Sequence, residues 1–409
     1  MKDTRRLGLT GRDIICLSTH FWDERWFRKQ EFMSRFAEAN RVLFVEPSFS
    51  MARSPEGHLA DVATNRFLVP RSEQREPGLH LLKPPRGLPK WSDPRVEKLT
   101  YRWYGRVVGR EARRLGFRDP IVWVYRPSFL YGLDAIPHRQ LVFDLVDDLA
   151  AYGGDDHALA DHVDGVVKEL ARRSDLLVVT AKTLQERYGP EAEAVAHVPN
   201  GFDGSLFAPG REHEVPAALQ DLPRPILGFI GTLFSFLDFE LMEEVARVHH
   251  DKSMVLVGPT ESNATDEVAR LKQLPNVFHL GRQPQNTMPA YVSAFDVCLN
   301  PFKQSRVADS VNPLKVYEYL AAGKPVISTP MEALRREDAG DMVAFADGAA
   351  AFCEQIDRCL ATDTPAAADE RREAAAAYSW DRLFTRLDAA CEAALPPTQR
   401  SMEKVGEPG

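Results

Sequence analysis

Lys315 and Glu318 stand three residues apart in Asp309-Ser310-Val311-Asn312-Pro313-Leu314-Lys315-Val316-Tyr317-Glu318-Tyr319-Leu320-Ala321-Ala322-Gly323-Lys324-Pro325-Val326-Ile327-Ser328-Thr329. That spacing puts both side chains on one face of a helix. The stretch reads as loop, helix, stop and strand. Asn312 is expected as the N-cap and Pro313 at the first helical position, where a missing N–H costs nothing. Leu314, Tyr317, Leu320 and Ala321 recur at helical spacing, and Gly323 fits a left-handed C-cap before the strand Val326-Ile327-Ser328. The first turn of such a helix attracts an anion through its N–H groups and dipole, and Lys315 adds a full charge. Glu318, one turn deeper, can accept hydrogen bonds from a vicinal diol such as a ribose. Together they suit a nucleotide diphosphate, with Val311 and Asn312 leading into the site. The competing explanation is a surface Lys–Glu pair worth only ~0.2–0.5 kcal/mol.

A second group of reactive types follows short apolar strands. Asp147 and Asp148 come just after Leu141-Val142-Phe143-Asp144. Adjacent carboxylates can raise one pKa towards that of a useful base, and helix capping is the competing role. His20 lies in the loop after Asp13 to Ser18, with Trp22, Arg25 and Arg28 as further acceptor contacts and Glu46 in reserve after Val42 to Val45. Trp22 and Trp26 could equally be core anchors.

The elements that would position these groups alternate between strand and helix. Strand signals fall at residues 13–18, 42–45, 121–124, 141–144, 176–179, 226–231, 254–257, 277–280, 297–300 and 326–328, with helices near 24–39 and 162–173 among the segments between them. That alternation predicts parallel sheets with right-handed crossovers, in which ligands bind beyond the carboxyl ends of the strands. Residues 48–78 show no period and read as a surface excursion. Between Lys83 and Arg114 the chain turns basic. Arg95, Arg102, Arg106, Arg110 and Arg113 form one helical stripe and Val96, Leu99, Trp103 and Val107 an apolar one. Such a helix suits an anionic membrane surface, or else it is an ordinary solvated face whose arginines pair with Glu97 and Glu111.

The chain's 409 residues exceed one ordinary core and imply two domains. A net charge of −8 argues against a general attraction to nucleic acid. No stretch approaches the roughly 18 apolar residues of a membrane span, and the polar, basic start carries no signal-peptide pattern. Five scattered cysteines lack metal-ligand spacing, as expected of a reduced cytoplasmic protein. No metal site and no resident cofactor are expected.

The segment around Lys315 resembles the nucleotide-binding helix of GT-B fold glycosyltransferases, the group 1 glycosyl transferases. Its Asn-Pro-x-Lys-x-x-Glu-Tyr-x-Ala-x-Gly-x-Pro-Val form is similar to the teichuronic-acid-biosynthesis type of bacterial cell-surface enzymes. Glu318 matches the second Glu of the family's Glu-x7-Glu pattern, while the first falls on Ser310. Ser18 to Asp23 is similar to the first loop of the same branch, and Val198-Pro199-Asn200-Gly201-Phe202-Asp203 resembles the turn closing the first GT-B domain. After Ile226 to Gly231 many members carry an Arg and a Lys that hold the diphosphate. Here those positions are apolar or hydroxyl-bearing, so the resemblance leaves backbone N–H groups and Lys315 to do so.

The resemblance implies an α/β GT-B architecture, two Rossmann-like domains with parallel sheets facing across a cleft. Residues 1–204 would form the acceptor domain, 205–224 a linker and 225–378 the nucleotide-sugar-binding domain. Residues 379–395 would be a helix crossing back and 396–409 a disordered tail. The implied reaction is metal-independent hexosyl transfer from a nucleotide-diphosphate sugar, a co-substrate, to a glycan or lipid-linked acceptor. It would take place in the cytoplasm or at the inner face of the plasma membrane. The donor set is Lys315, Glu318, Asn312, Val311, Gly231, Asp238 and Arg282; the catalytic candidates are Asp147, Asp148 and His20. A nucleotide-sugar epimerase on the same fold, told apart by turnover without acceptor, and a non-catalytic scaffold are the alternatives.

Overall fold

The computed structural model describes residues 8–23, 26–47, 70–84, 94–153, 156–207 and 213–396. Arg25, residues 48–69 of the expected excursion, part of the expected linker and all of the expected tail except Pro396 lie outside the described residues. The chain divides into two compact units. One comprises residues up to Val179, Leu184–Val198 and those from Phe384 on; the other comprises Thr180–Thr183 and Pro199–Leu383.

The first unit holds an eight-stranded sheet in the order β3-β4-β2-β1-β5-β6-β7-β8. Its strands are β1 (Asp13–Leu17), β2 (Arg41–Val45), β3 (Arg71–Glu76), β4 (Leu79–Lys83), β5 (Ile121–Val124), β6 (Gln140–Leu145), β7 (Leu176–Val179) and β8 (Val195–His197). Every pairing is parallel except β3 with β4. The continuous apolar runs Ile14-Ile15-Cys16-Leu17 and Val122-Trp123-Val124 are fully buried, as strands covered on both faces require. The hairpin β3–β4 corrects the sequence reading of residues 70–78 as an excursion without structure. Its Arg-Ser-Glu-Gln-Arg-Glu strand lies at the sheet edge, where charged side chains discourage further pairing and mask the period of two.

Helix Arg28–Ala37 connects β1 to β2, and Phe36 packs edge-on against Phe384, with ring centroids 4.8 Å apart. Phe384 belongs to the last helix, Trp380–Ala394, whose Asp388 accepts the backbone N–H of Leu9 at 3.0 Å. Helix Pro94–Arg114 approaches the chain at residues 132–135 closely, because Gly105 and Gly109 have no Cβ. An added one would stand 2.2 Å from the Gly132 carbonyl oxygen and 2.3 Å from that of Ala135.

The second unit holds a six-stranded, wholly parallel sheet in the order β11-β10-β9-β12-β13-β14. These are β9 (Ile226–Ile230), β10 (Ser253–Val257), β11 (Val277–His279), β12 (Val297–Asn300), β13 (Val326–Ser328) and β14 (Val343–Phe345). The order reverses at β9 and β12, the neighbouring strands whose carboxyl ends lead to Gly231 and Phe302. Two parallel-dominated α/β sheets bear out the expected fold class.

Candidate functional site

Helix Leu314–Ala321 lies at the end of this second sheet where β9 and β12 finish. Its register is set by Tyr319, fully buried, whose hydroxyl accepts the N–H of Ile230 at 2.8 Å. That bond holds the helix one residue from Gly231. The Lys315 ammonium then lies 4.6 Å from the Phe229 ring centroid and 4.9 Å from that of Phe302. Two aromatic faces stabilise a cation and hold its stem in place. Gly231 makes room for it: its φ of +128° belongs to glycine, and a Cβ there would stand 3.1 Å from Lys315 Cε. Next to it, Gly258 (φ +152°) lets its own backbone pass the Gly231 carbonyl oxygen, which a Cβ would meet at 1.9 Å. Glu318 is half-buried on the same helix.

One local expectation is corrected. The N-cap is Pro313, and no side chain caps the helix. Asn312 is buried and turns elsewhere: its Nδ2 donates to the Tyr317 hydroxyl at 2.8 Å, and its Oδ1 accepts the Asn200 N–H at 3.3 Å. Asn200 Nδ2 in turn donates to the Asn312 carbonyl oxygen at 2.9 Å. The turn Pro199-Asn200-Gly201 and the loop before the helix are thus bonded to each other. Tyr317 completes this scaffold by stacking on Tyr378 at 4.3 Å. The Ser310 hydroxyl donates to the Val307 carbonyl oxygen, so it serves its own turn.

Of the remaining donor candidates, Val311 is half-buried in that loop and Arg282 is exposed after Gly281. The carboxylate of Asp238 caps helix Phe239–Val248 by accepting the Leu241 N–H at 3.0 Å. The structure therefore brings Lys315 and Gly231 together and gives Asp238 a structural bond.

In the first unit, His20, Glu46 and Asp147 follow the carboxyl ends of β1, β2 and β6. His20 Nδ1 is 2.9 Å from Thr19 Oγ1, and its ring lies 4.8 Å from that of Phe27. Asp148 is 3% exposed and sits in a network: it accepts from the Tyr188 hydroxyl at 3.2 Å and pairs with Arg187 at 3.4 Å. Asp147 is half-buried. Trp22 is buried against Phe44, and Trp26 is partly exposed.

Arg28, expected among the acceptor contacts, is instead buried in an ionic group whose other members, Asp144 and Lys29, escaped the sequence reading. Arg28 Nε donates to both oxygens of Asp144, at 3.0 and 3.1 Å, and its Nη1 donates to the Val198 carbonyl oxygen at 2.8 Å. Beside it Lys29, 6% exposed, holds its ammonium 4.8 Å from the Tyr125 ring centroid. Burial lowers the Lys29 pKa to about 8, against the opposing pull of Asp144 and then Asp147. The signal was an aspartate inside an apolar strand run, together with four consecutive polar residues, Arg28 to Glu31, all buried at the start of one helix.

Glu46 is buried, accepts the Trp22 N–H at 3.0 Å, and is pushed up to about 7 by desolvation. Its folded pKa lies above the unfolded value near 4.5, so the native state binds its proton more tightly. Stability should therefore be greatest below about pH 4.5 as far as Glu46 is concerned, and decline until pH passes about 7. Urea titrations of Glu46→Gln should lose that part of the pH dependence. An unchanged profile would mean that the carboxyl is better solvated than its burial implies.

Among the described residues no three His, Cys, Asp or Glu are grouped to hold a metal ion, and no helix is long and apolar enough to cross a membrane.

Residues 224–362 match the family of glycosyl transferases group 1. With two parallel-dominated sheets and a lysine-bearing helix at the switch point of the second, the chain has the GT-B fold, and the match to the glycosyl transferase family lies in its second unit. The chain is 28% identical over 280 residues to TuaH of Bacillus subtilis (strain 168), described as a teichuronic acid biosynthesis glycosyltransferase, covering 65% of this chain and 70% of that protein. In fold it is similar to sucrose-phosphate synthase from Thermosynechococcus elongatus, with a TM-score of 0.70 at 14% identity over 97% of this chain and all of that one. It is also similar to Anabaena HepE, solved with UDP and glucose, with a TM-score of 0.63 at 13% identity over 94% of this chain and all of that one.

Proposed function

We propose that the second unit binds a nucleotide-diphosphate sugar at helix Leu314–Ala321 and that the protein transfers its hexosyl group to a glycan or lipid-linked glycan of the bacterial surface. The transfer would occur in the cytoplasm or at the inner face of the plasma membrane. One observation carries the reading: the Lys315 ammonium, fixed between Phe229 and Phe302, lies against the backbone at Gly231. A diphosphate there meets a fixed cation, close-approach backbone and the positive end of the helix dipole. In this reading Glu318 takes the ribose diol, and Val311 and Asn312 line the approach to the helix. The backbone near Arg282 takes the base, and Asp238 acts only through the helix it caps. Lys315 and the N–H groups supply the neutralising charge, so the reaction asks for no metal ion and no resident cofactor. The name of TuaH supports a cell-surface glycan as product, and the nucleotide bound in HepE supports a uridine nucleotide as donor.

Acceptor activation falls in this proposal to Asp147, with His20 second. Asp148 ranks below them because Arg187 and Tyr188 already engage it.

Calorimetric titration of nucleotide sugars tests the donor site. Lys315→Ala and Glu318→Ala should each weaken binding by ~1.5–3 kcal/mol, the range for charge-assisted hydrogen bonds. Melting temperatures should hold, since neither side chain is in the core. Unchanged affinity in both variants would overturn the assignment.

A further inference from the structure

Helix Pro94–Arg114 turns a face both apolar and basic outward. Its buried side is Tyr101, Tyr104, Val108 and Ala112, packed towards Phe129 with Gly105 and Gly109 at the closest approach. The apolar stripe Val96, Leu99, Trp103 and Val107 is therefore not core: Leu99 is 63% exposed and Trp103 40%, with Val96 and Val107 partly covered. At 100° per residue Leu99 and Arg110 fall in the middle of one outward face, with Trp103, Val96 and Val107 on one side and Arg95, Arg102, Arg106 and Arg113 on the other. All five arginines are exposed.

The alternative to a docking face was an ordinary solvated one, its arginines balanced by Glu97 and Glu111. Both carboxylates are engaged elsewhere: Glu111 pairs with Arg114 and bonds Ser72, while Glu97 accepts from Ser128. Among the described residues no ion pair is found for Arg102, Arg106, Arg110 or Arg113. A concentrated positive strip thus stands on a chain whose net charge is −8, beside exposed leucine and tryptophan. A soluble polyanion would use the arginines and leave Leu99 and Trp103 in water. The interface of an anionic bilayer takes both, with headgroups against the arginines and the apolar side chains at the acyl boundary.

We infer that this helix is the protein's membrane-docking element, lying flat on an anionic lipid surface through Leu99, Trp103 and the arginines from Arg95 to Arg113. This says where a lipid-linked acceptor is met, and only in that respect does it rest on the proposed reaction.

The test uses the full chain with no donor or acceptor, so its failure leaves glycosyl transfer standing. The protein should sediment with phosphatidylglycerol-containing vesicles at low salt, stay in solution with pure phosphatidylcholine vesicles, and come off as ionic strength rises. Arg102→Ala/Arg106→Ala/Arg110→Ala should lower the vesicle partition coefficient on the order of a hundredfold. Leu99→Ser/Trp103→Ser should lower it at least tenfold, with melting temperature kept in both because these side chains are exposed. Trp103 fluorescence should shift to the blue on binding. Four results would overturn the inference: no sedimentation with anionic vesicles; equal binding to neutral ones; binding indifferent to Leu99→Ser/Trp103→Ser, as for a polyanion site; or a wild-type dimer that the same variant dissociates, since the face would then cover a second copy.

Discussion

Replacing Asp144 by Asn should cost the first unit about 3–5 kcal/mol, the range for breaking a buried ion pair by removing one partner. Asp144 is fully buried on β6 and accepts both hydrogen bonds from Arg28 Nε, while Lys29 sits close enough to feel its charge. The neutral amide keeps the shape but leaves the Arg28 guanidinium without its counter-ion. It also removes the leading interaction that opposes desolvation of Lys29. Five of the six tryptophans precede residue 124, so their fluorescence in a urea titration reports mainly on this unit. Arg28→Met/Asp144→Leu should recover much of the loss, because a buried pair exchanged for apolar residues of similar volume is often neutral or stabilising. A single-variant loss under about 1 kcal/mol would show that water relaxes into the site and that the pair stabilises little.

That pair also marks where the sequence stopped being informative. The strands Ile121–Val124, Leu176–Val179, Val297–Asn300 and Val326–Ser328 lie where apolar runs bounded by turn residues put them, because a parallel strand buried on both faces has an unmistakable composition. The edge strand Arg71–Glu76 has none of that signal, and its place in the sheet comes from pairing with Leu79–Lys83. Helix Pro94–Arg114 shows the opposite failure. Its apolar stripe was legible, but its packed side was not, because two glycines at helical spacing let backbone rather than side chains make the closest approach there. Lys315 was legible from its motif. Its cradle of Phe229, Phe302 and Gly231 was not, because those residues come from three segments of the chain and only folding unites them. Asn312 has a good capping side chain, but the bonds to Tyr317 and Asn200 outcompete the helix end.

For the chemical step, Asp147→Asn should lower turnover by a factor of ~10²–10⁴ while nucleotide-sugar affinity stays at the wild-type value, the pattern of a lost general base. Asp147 follows β6 at its carboxyl end, and its charge acts on Lys29, the buried ammonium below it. A carboxylate so placed can take the acceptor's hydroxyl proton if the reaction inverts, or stabilise positive charge at the anomeric carbon if it retains. Asp148 cannot be exchanged for it without cost, since it already holds Arg187 and the Tyr188 hydroxyl. Asp148→Asn should accordingly appear as lost stability more than as lost turnover. Single-turnover rates measured with saturating donor separate the two effects, because a folding defect lowers the active fraction without slowing the enzyme that remains. Near-normal turnover in Asp147→Asn would remove it from the mechanism. His20 would then be next to test, its ring held by Thr19 and Phe27 after the carboxyl end of β1.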